Sequence, residues 1–260
     1  MSSSLSLRIL KIGGNVLADH TQLDAVLQLF SDWPDPAILV HGGGKSATDL
    51  AHALGIEAQL VEGRRITDEK MLEIVTMVYA GLINKKLVAA LQAKQCNAIG
   101  LSGADGNLIR AHQRIVQDID YGFAGDIDEV NTQALQALLA THFRPVFCAI
   151  THDQRGQLLN TNADTIAASL ATALAPHFLV SLQYCFEKTG VLRDADDEQS
   201  LIRRLDRKQY QSLRVSGAIH SGMIPKLDNA FAALTAGVSE IVIGNVASLS
   251  AGTATVIRGE

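Results

Sequence analysis

The sequence predicts an α/β fold in which a mostly parallel, open β-sheet is covered by helices on both faces. Three observations predict it. Short β-branched runs alternate with helical patterns of ten or more residues, and glycine clusters stand where two of these runs end. Hydrophobic residues make up 47% of the 260 residues and charged residues 19%, which excludes a disordered chain and supports a large core.

The elements follow in chain order. The apolar runs predict strands at 7–12, 37–40, 97–101, 145–150, 178–182, 240–243 and 253–257, with a hairpin from 108–112. The helical patterns predict helices at 22–30, from 46, at 68–94, 132–141, 163–175 and 225–236. The Thr67-Asp68 pair is a helix start signal, and Gly81 is a candidate break in the long helix. The charged stretch 193–214 predicts a solvated helical excursion.

Charge, cysteines and hydropathy limit the partners. A net charge of −5 gives no electrostatic reason to expect nucleic acid or a membrane surface. Cys96, Cys148 and Cys185 form no CxxC motif, which indicates reduced thiols and not a disulfide framework or a zinc site. The N-terminus lacks the pattern of a signal peptide, and no apolar run approaches the ~18 residues of a membrane helix. We therefore expect a cytoplasmic protein.

Two glycine clusters follow predicted strands. Lys11 precedes Gly13 and Gly14, and the second cluster is His41-Gly42-Gly43-Gly44. In open α/β sheets, ligands bind at the carboxyl ends of strands, where glycine permits close backbone approach and free N–H groups favour anions. Either cluster alone fits a structural turn; together they predict an anion site.

Two known glycine motifs compete for the second cluster. A Walker A loop needs a glycine where Leu39 stands, so that motif is rejected. Gly42-x-Gly44-x-x-Ala47 fits a dinucleotide fingerprint, with Glu62 about 20 residues on, and keeps an NAD(P)-dependent oxidoreductase as an alternative.

Polar residues cluster in three further segments. Asn160, Asn162 and Asp164 share one side of an extended segment, which fits either a helix cap with turn asparagines or a substrate-orienting group. Lys226 stands in the first turn of a helix behind Gly222 and Pro225, where a phosphate contact is favoured. In Gly63-Arg64-Arg65-Ile66-Thr67-Asp68, one arginine is a candidate carboxylate binder.

These parts together suit phosphoryl transfer, in which catalysis is mostly positioning and charge stabilisation. The pattern contains no evident histidine dyad or triad. A carboxylate acceptor needs no general base, because a glutamate-like carboxyl, with a pKa of ~4.3, is already ionised at neutral pH.

Seven segments carry a resemblance over essentially the whole chain. They are LKIGGNVL, VHGGGK, EGRRITDEKMLEIV, GLSGADGNLI, YGFAGDIDEVN, LLNTNADTIAASLA and SGMIPKLDNA. The chain resembles the amino-acid kinase family, and GRRIT with LLNTNAD resembles its branch that acts on N-acylated glutamate. The resemblance implies an αβα sandwich, with an N-terminal lobe (about 1–177) for the amino acid and dimerisation, and a C-terminal lobe (about 178–260) for ATP. The implied reaction moves the ATP γ-phosphate to the γ-carboxylate of N-acetyl- or N-succinyl-L-glutamate, a step of arginine biosynthesis.

The resemblance also implies residue roles. Lys11 and Lys226 would flank the transferring phosphoryl group, and Asp164 would hold both ammonium groups. Gly14 and Gly44 would donate N–H bonds to phosphate oxygens, Gly43 and Gly44 would seat the glutamate moiety, and Arg65 would pair with its α-carboxylate. Asn160 and Asn162 would hold the acylated amino end. The implied nucleotide-binding set is Lys11, Gly13, Gly14, Glu187, Lys188, Gly222, Met223 and Lys226. Mg²⁺ would be carried by the phosphates, with no metal-binding residues of the protein.

Two departures from the family pattern stand out. After the strand that opens the nucleotide lobe, this chain reads SLQYCFEKTGVLRD, with Glu187 where the family has an aspartate and Lys188 where it has an apolar residue. Glu187 would accept from a ribose hydroxyl and Lys188 would meet a phosphate; a catalytically silent amino-acid-binding member is the other alternative. Arginine-inhibited members of the family carry an extra helix before the first strand, where this sequence has a short segment, so the resemblance implies a homodimer without arginine inhibition. Five apolar positions fit either its interface or the core: Leu72, Val75, Val78, Tyr79 and Leu82.

Overall fold

A computed structural model describes residues 5–61, 63–194, 196–217, 219 and 223–259. The strands are β1 (Ser6–Ile12), β2 (Ala37–His41), β3 (Leu60–Val61), β4 (Arg64–Arg65), β5 (Ala98–Leu101), β6 (Ile109–Gln113), β7 (Gly125–Val130), β8 (Arg144–Phe147), β9 (Ile150–His152), β10 (Leu158–Asn160), β11 (Leu179–Cys185), β12 (Arg204–Leu205), β13 (Glu240–Gly244) and β14 (Thr255–Ile257). The helices are α1 (Gly14–Ala18), α2 (His20–Asp32), α3 (Gly44–Ala53), α4 (Glu69–Thr76), α5 (Asn84–Ala93), α6 (Thr132–Ala140), α7 (Ala163–Leu174), α8 (Arg207–Val215), α9 (Ile224–Thr235) and α10 (Val246–Ala251).

The chain divides into two compact units. Unit 1 contains Met1–Ala37 and Leu170–Glu260, and unit 2 contains Ile38–Ser169. In unit 1, β11 pairs in parallel with both β1 and β13, while β14 pairs antiparallel with β13 and parallel with β12. Apolar residues of these strands, such as Ile9, Leu182 and Ile241, are fully buried. Near-continuous apolar strands are typical of a parallel sheet covered on both faces.

Unit 2 holds a second set of parallel strands and a smaller sheet. Strand β8 pairs in parallel with β2 and β5, and all five residues of β2 are buried. The smaller sheet has the order β10-β9-β6-β7, and β3 and β4 form an antiparallel hairpin. The predicted class, α/β with a mostly parallel sheet, is confirmed.

The long helix over 69–93 is continuous, and its middle is wound as a π-helix. Helix α4 leads into a π-helical segment at Met77–Ile83 and then into α5. The predicted break around Gly81 is therefore a change of winding, which re-aims the side chains that follow. By length and composition this helix is apolar enough to cross a membrane, but core helices pass the same test, and Ile74, Val75 and Leu91 are buried in unit 2.

Three local predictions differ from the structure. The run 145–150 is split, because β8 and β9 join different sheets on either side of Cys148 and Ala149. The charged stretch 193–214 is only partly a helical excursion, since β12 within it pairs with β14 and buries Leu205. The short helices α1 and α10 were missed, because segments of five and six residues carry too few apolar repeats to reveal a helical period.

Candidate active site

The first glycine turn of unit 1 is held against the end of β11. The Gly13 N–H donates to the Cys185 carbonyl at 3.0 Å, and a Cβ at Gly13 would stand 3.4 Å from that oxygen. A Cβ on Gly14, which opens α1, would meet nothing within 4 Å. Lys11 lies two residues before this turn, opposite Tyr184 in the register of β1 and β11. The turn is therefore packed on one side and open on the other.

Lys226 reaches the same part of unit 1 through Phe186. Its Nζ lies 5.0 Å from the centroid of the Phe186 ring, within the range of a cation–π contact. The Cβ of Phe186 is also 3.8 Å from the position of a Gly13 Cβ. Lys226 itself is exposed in the first turn of α9, and Met223 caps that helix. Gly222 lies outside the described residues. One aromatic side chain thus adjoins both the first glycine turn and Lys226.

Glu187 and Lys188, which depart from the family pattern just after β11, both contact other side chains of the protein. A carboxylate oxygen of Glu187 accepts a hydrogen bond from the Asn15 side-chain amide, and Asn245 Nδ2 donates to the Glu187 carbonyl at 3.4 Å. Lys188 Nζ lies 3.5 Å from a carboxylate oxygen of Glu198. Both side chains are exposed. Their ribose and phosphate contacts stay predictions.

The second glycine cluster, in unit 2, is pressed against the π-helical segment. It connects the end of β2 to α3, whose N-cap is Gly43. A Cβ on Gly43 would lie 2.6 Å from both Ile83 Cδ1 and Tyr79 Cδ1. No side chain fits there without displacing the helix, so glycine at this position is required by close packing.

Arg65 is the buried cation beside this loop. It is 8% exposed, and its Nη2 donates to the Gly44 carbonyl at 2.8 Å and to Thr48 Oγ1 at 2.7 Å. Its Nε is buried and has no hydrogen-bond partner. Among the described residues no carboxylate pairs with this guanidinium, which also contacts the Met71 sulfur and the Tyr79 side chain. A buried charge without a counter-charge is costly unless a ligand supplies one.

The side chains of Asn160 and Asn162 make different hydrogen bonds. Asn160 Nδ2 donates to Thr67 Oγ1 at 2.9 Å, and Thr67 Oγ1 in turn donates to the Arg65 carbonyl at 3.1 Å. Asn162 Oδ1 accepts from the N–H groups of Asp164 and Thr165 at the start of α7. The Asn162 oxygen therefore caps the start of α7, whereas Asn160 is linked through Thr67 to the backbone carbonyl of Arg65. Asp164 is half-buried in the first turn of α7.

Several residues of this cluster were missed from the sequence. Thr67, Thr48 and Tyr79 all adjoin Arg65 or the second glycine loop in unit 2. Burial raises the pKa of Tyr79, and the Arg65 guanidinium acts against that rise. The only available signal was the position of Thr67 inside the quoted GRRIT segment. Thr48 and Tyr79 lie in ordinary helical patterns, where a core or surface role is the default.

His41 is fully buried immediately before the second glycine loop. Its Nδ1 lies 2.8 Å from the Gly42 carbonyl, and its Nε2 lies 3.1 Å from Asn84 Nδ2. Burial lowers its pKa to about 4, so the imidazole is neutral at physiological pH. The buried Cys148 and Cys185 likewise have their pKa raised to about 12 by desolvation, and their thiols stay protonated.

We expect His41 to make the protein acid-sensitive. Its folded pKa lies below that of the unfolded chain, so the unfolded state binds the extra proton between pH 6.5 and about 4. The free energy of unfolding should therefore fall by about 3 kcal/mol from this residue as pH drops through that window. Urea unfolding of the wild type and His41→Asn, measured at pH 7.5 and pH 4.5, checks it. An identical loss in both proteins would contradict the assignment.

The described part of the chain contains no group of three or more His, Cys, Asp or Glu side chains placed to hold a metal ion.

Glycine turns at the ends of buried strands, with the cations Arg65 and Lys226 beside them, define an α/β protein suited to binding anionic ligands. A family model described as "Amino acid kinase family" matches residues 6–245, and the chain belongs to this family.

Two relatives and two solved structures show which members of the family this chain is similar to. The chain is 51% identical to the "Acetylglutamate kinase" of Phocaeicola vulgatus over 252 residues, 97% of this chain and 98% of that protein. It is 39% identical to the "Acetylglutamate kinase" of Methanopyrus kandleri, over 97% of this chain and 100% of that protein. An N-acetylglutamate synthase structure from Neisseria gonorrhoeae, complexed with coenzyme A and N-acetyl-glutamate, has a TM-score of 0.83 at 26% identity and covers 98% of this chain and 60% of that one. Giardia carbamate kinase shares the fold alone, with a TM-score of 0.67 at 13% identity over the full length of both chains.

Proposed function

We propose that this kinase transfers the γ-phosphoryl group of ATP to the γ-carboxylate of N-acetyl-L-glutamate and forms an acyl phosphate, a step of arginine biosynthesis. The relatives at about 50% identity over nearly the full chain support it. The structural observation that carries it is Arg65, a buried guanidinium beside the second glycine loop with no carboxylate partner among the described residues. The α-carboxylate of the acceptor supplies the missing charge.

The reaction needs charge stabilisation more than proton transfer. A γ-carboxylate oxygen, already ionised at neutral pH, attacks the γ-phosphorus of ATP while the bond to the β,γ-bridging oxygen breaks, and ADP leaves with that electron pair. Within unit 1, Lys11 and Lys226 neutralise the charge on the transferring group, and the Gly14 N–H donates to its oxygens. A contact of the Gly44 N–H with a phosphate oxygen stays a prediction. The role of Asp164 as the holder of the two lysines stays a prediction. Mg²⁺ would arrive on the ATP phosphates.

The two sets of predicted binding residues sort by unit. The acceptor set, Gly43, Gly44, Arg65, Asn160 and Asn162, lies in unit 2. The nucleotide set, apart from Gly222, lies in unit 1: Lys11, Gly13, Gly14, Glu187, Lys188, Met223 and Lys226. We therefore assign the acylated amino acid to unit 2 and ATP to unit 1. The division into lobes at about 1–177 and 178–260 stays a prediction, and by contacts within the chain the first 37 residues cluster with residues 170–260.

Neither alternative is supported by the relatives. The relatives at 39–51% identity are acetylglutamate kinases and not oxidoreductases. The dinucleotide fingerprint also required Glu62, which lies outside the described residues. A silent binding member has no support among those relatives either.

ADP release in the presence of acylated glutamate tests the proposal directly. Purified protein with ATP and Mg²⁺ should release ADP only when N-acetyl-L-glutamate is added, and hydroxylamine should trap the acyl phosphate as a hydroxamate. N-succinyl-L-glutamate and unmodified glutamate are run in parallel. ADP release that does not depend on any acylated glutamate, or no release at all, would overturn the proposal.

A homodimer stays a prediction, and four of the five apolar positions that fit either its interface or the core lie in the core. Leu72, Val75, Val78 and Tyr79 are each at most 8% exposed and belong to the core of unit 2. Leu82 is 49% exposed, and Met77 on the π-helical segment is 53% exposed. These two side chains are the apolar surface that the long helix offers to a second copy.

Charge placed on this surface should break the dimer. We expect the double variant Met77→Glu/Leu82→Glu to sediment as a monomer at micromolar concentration, because burying two carboxylates in an apolar interface is unfavourable. Val215→Glu, at a position 88% exposed on α8, is the matched control and should keep the wild-type mass. A monomeric wild type, or a double variant that stays dimeric, would remove the interface.

A further inference from the structure

A chain of polar side chains lies behind the second glycine loop, inside unit 2. His41 and Asn84 are 0% and 1% exposed, and Lys85 follows Asn84. Asn84 Nδ2 lies 3.1 Å from His41 Nε2 and donates to the Val146 carbonyl at 2.8 Å. Lys85 Nζ donates to Asn84 Oδ1 at 3.1 Å and to the Gly100 carbonyl at 3.1 Å. Every side-chain polar atom of Asn84 thus has a partner.

These partners fix the orientation of the Asn84 amide. Its nitrogen must face the Val146 carbonyl, and its oxygen must face the Lys85 ammonium. The flipped amide would set oxygen against carbonyl and NH₂ against ammonium, two repulsive contacts in a buried place. The amide N–H therefore points at His41 Nε2, which accepts.

The histidine tautomer follows from this orientation. With Nε2 as the acceptor, the single proton of the neutral imidazole is on Nδ1, and it is donated to the Gly42 carbonyl at 2.8 Å. The chain of contacts Lys85–Asn84–His41 therefore ends on one peptide bond of the glycine loop. His41 has no free lone pair and is unsuited to act as a general base.

Holding the Gly42 carbonyl also sets the direction of the next N–H group. The peptide between Gly42 and Gly43 is planar and trans, so its C=O and N–H point in opposite directions. A carbonyl turned toward His41 and the core aims the Gly43 N–H away from the core. Gly43 is the N-cap of α3, and the N–H of a cap residue has no acceptor within its helix.

The π-helical segment braces the same peptide from another direction. Tyr79 and Ile83 on this segment close against Gly43, and Asn84 is the first residue after it. An ordinary α-helix would present residues 79, 83 and 84 at different angles, since a π-turn contains about one more residue. The π-helical winding therefore supplies both the contact with Gly43 and the contact with His41.

We propose that His41 and Asn84 are positioning residues for the phosphoryl-transfer reaction, which hold the Gly42–Gly43 peptide so that the Gly43 N–H is presented to the bound acceptor. This proposal rests on the proposed function, in which Gly43 and Gly44 seat the acylated glutamate. A donor that is fixed before the reaction needs no reorganisation during it, which is the source of its catalytic value.

Two substitutions of His41 separate this role from a purely structural one. The Asn side-chain NH₂ can occupy the place of imidazole Nδ1, so His41→Asn keeps the donor to Gly42 and loses the contact with Asn84. His41→Gln extends to the Nε2 position and loses the donor to Gly42. Both variants remove a buried ring, so both are expected to lose stability, but only one loses the bond to the loop.

We expect His41→Gln and His41→Asn to lose similar amounts of stability but to differ in kcat and in KM for acylglutamate. His41→Gln should lower kcat roughly tenfold to hundredfold and raise KM for acylglutamate, below the 10²–10³-fold typical of deleting a donor outright. His41→Asn keeps the donor to Gly42 but loses the support of Asn84, so its loss of kcat should be small, about threefold, and clearly less than that of His41→Gln. KM for ATP should change little in either variant. Equal kinetics in the two variants, or wild-type kcat in His41→Gln, would overturn the proposal.

A spectroscopic measurement on the wild type keeps the inference testable if the variants do not fold. In protein labelled with ¹⁵N-histidine, His41 should be neutral at pH 7, with its proton on Nδ1, and Asn84→Ala should change its nitrogen shifts. A proton on Nε2 in the wild type would refute the inferred hydrogen bonds from Asn84 to His41 and from His41 to Gly42. This measurement does not depend on substrate. If the wild type has the expected tautomer but releases no ADP in response to acylglutamate, the proposed function is refuted and these hydrogen bonds are not.

Discussion

Replacing Lys226 by alanine is expected to lower kcat by on the order of 10²–10³, the usual cost of removing a preorganised group from a transition state that develops charge. Its ammonium contacts the face of Phe186, and no carboxylate among the described residues pairs with it. The ring holds the side chain without neutralising it, so the positive charge stays available to a phosphoryl group. We expect a loss of similar size for Lys11→Ala.

Turnover at saturating substrates measures this effect. ADP release and hydroxamate formation should fall together, whereas stabilisation of the protein by ATP should persist, because the transition state carries more charge at this position than the bound nucleotide does. Lys208→Ala, an exposed lysine on α8 in the same unit, is the matched control and should retain wild-type turnover. Near-normal turnover in Lys226→Ala would remove this lysine from the mechanism.

Local sequence signals located the two glycine turns because their determinants are local. A buried apolar strand followed by glycines identifies both a strand end and a sharp turn, and β1 and β2 end within one residue of their predicted limits. Arg65 was found in the same way, since two arginines precede a capped helix whose Asp68 accepts from the Met71 N–H at 2.8 Å. In each case the residue and its reason lie within a few positions of each other.

The residues that shape these turns could not be found in this way. Asn84 meets His41 across 43 positions, and its pattern in the sequence is that of an ordinary helical residue. The contact exists because the π-helical segment rotates the side chains that follow it about the helix axis. The hydrophobic periodicity of the sequence does not predict such a segment. Predicting it would require the register of β2 against the long helix, which is a tertiary property.

The largest effect on substrate binding is expected at Arg65. Arg65→Gln keeps a hydrogen-bonding side chain of similar length but removes the charge, and we expect KM for N-acetyl-L-glutamate to rise by on the order of 10²-fold. A hydrogen bond to a charged group contributes about 1.5–3 kcal/mol, which corresponds to roughly 10- to 150-fold in affinity. The effect should fall on the acceptor and not on ATP, since Arg65 lies in unit 2.

The control for Arg65 distinguishes a lost carboxylate contact from a loosened loop, because this guanidinium also holds the Gly44 carbonyl and Thr48. Thr48→Val removes one of these contacts and leaves the charge, so it should raise the acceptor KM only slightly. Arg64→Gln changes the exposed neighbour on the same strand and should leave KM unchanged.

If Thr48→Val weakens acceptor binding as much as Arg65→Gln does, the arginine acts by supporting the loop, and the substrate carboxylate is bound by another group. If Arg65→Gln alone weakens it, the uncompensated charge beside Gly44 is the recognition element for the acidic acceptor.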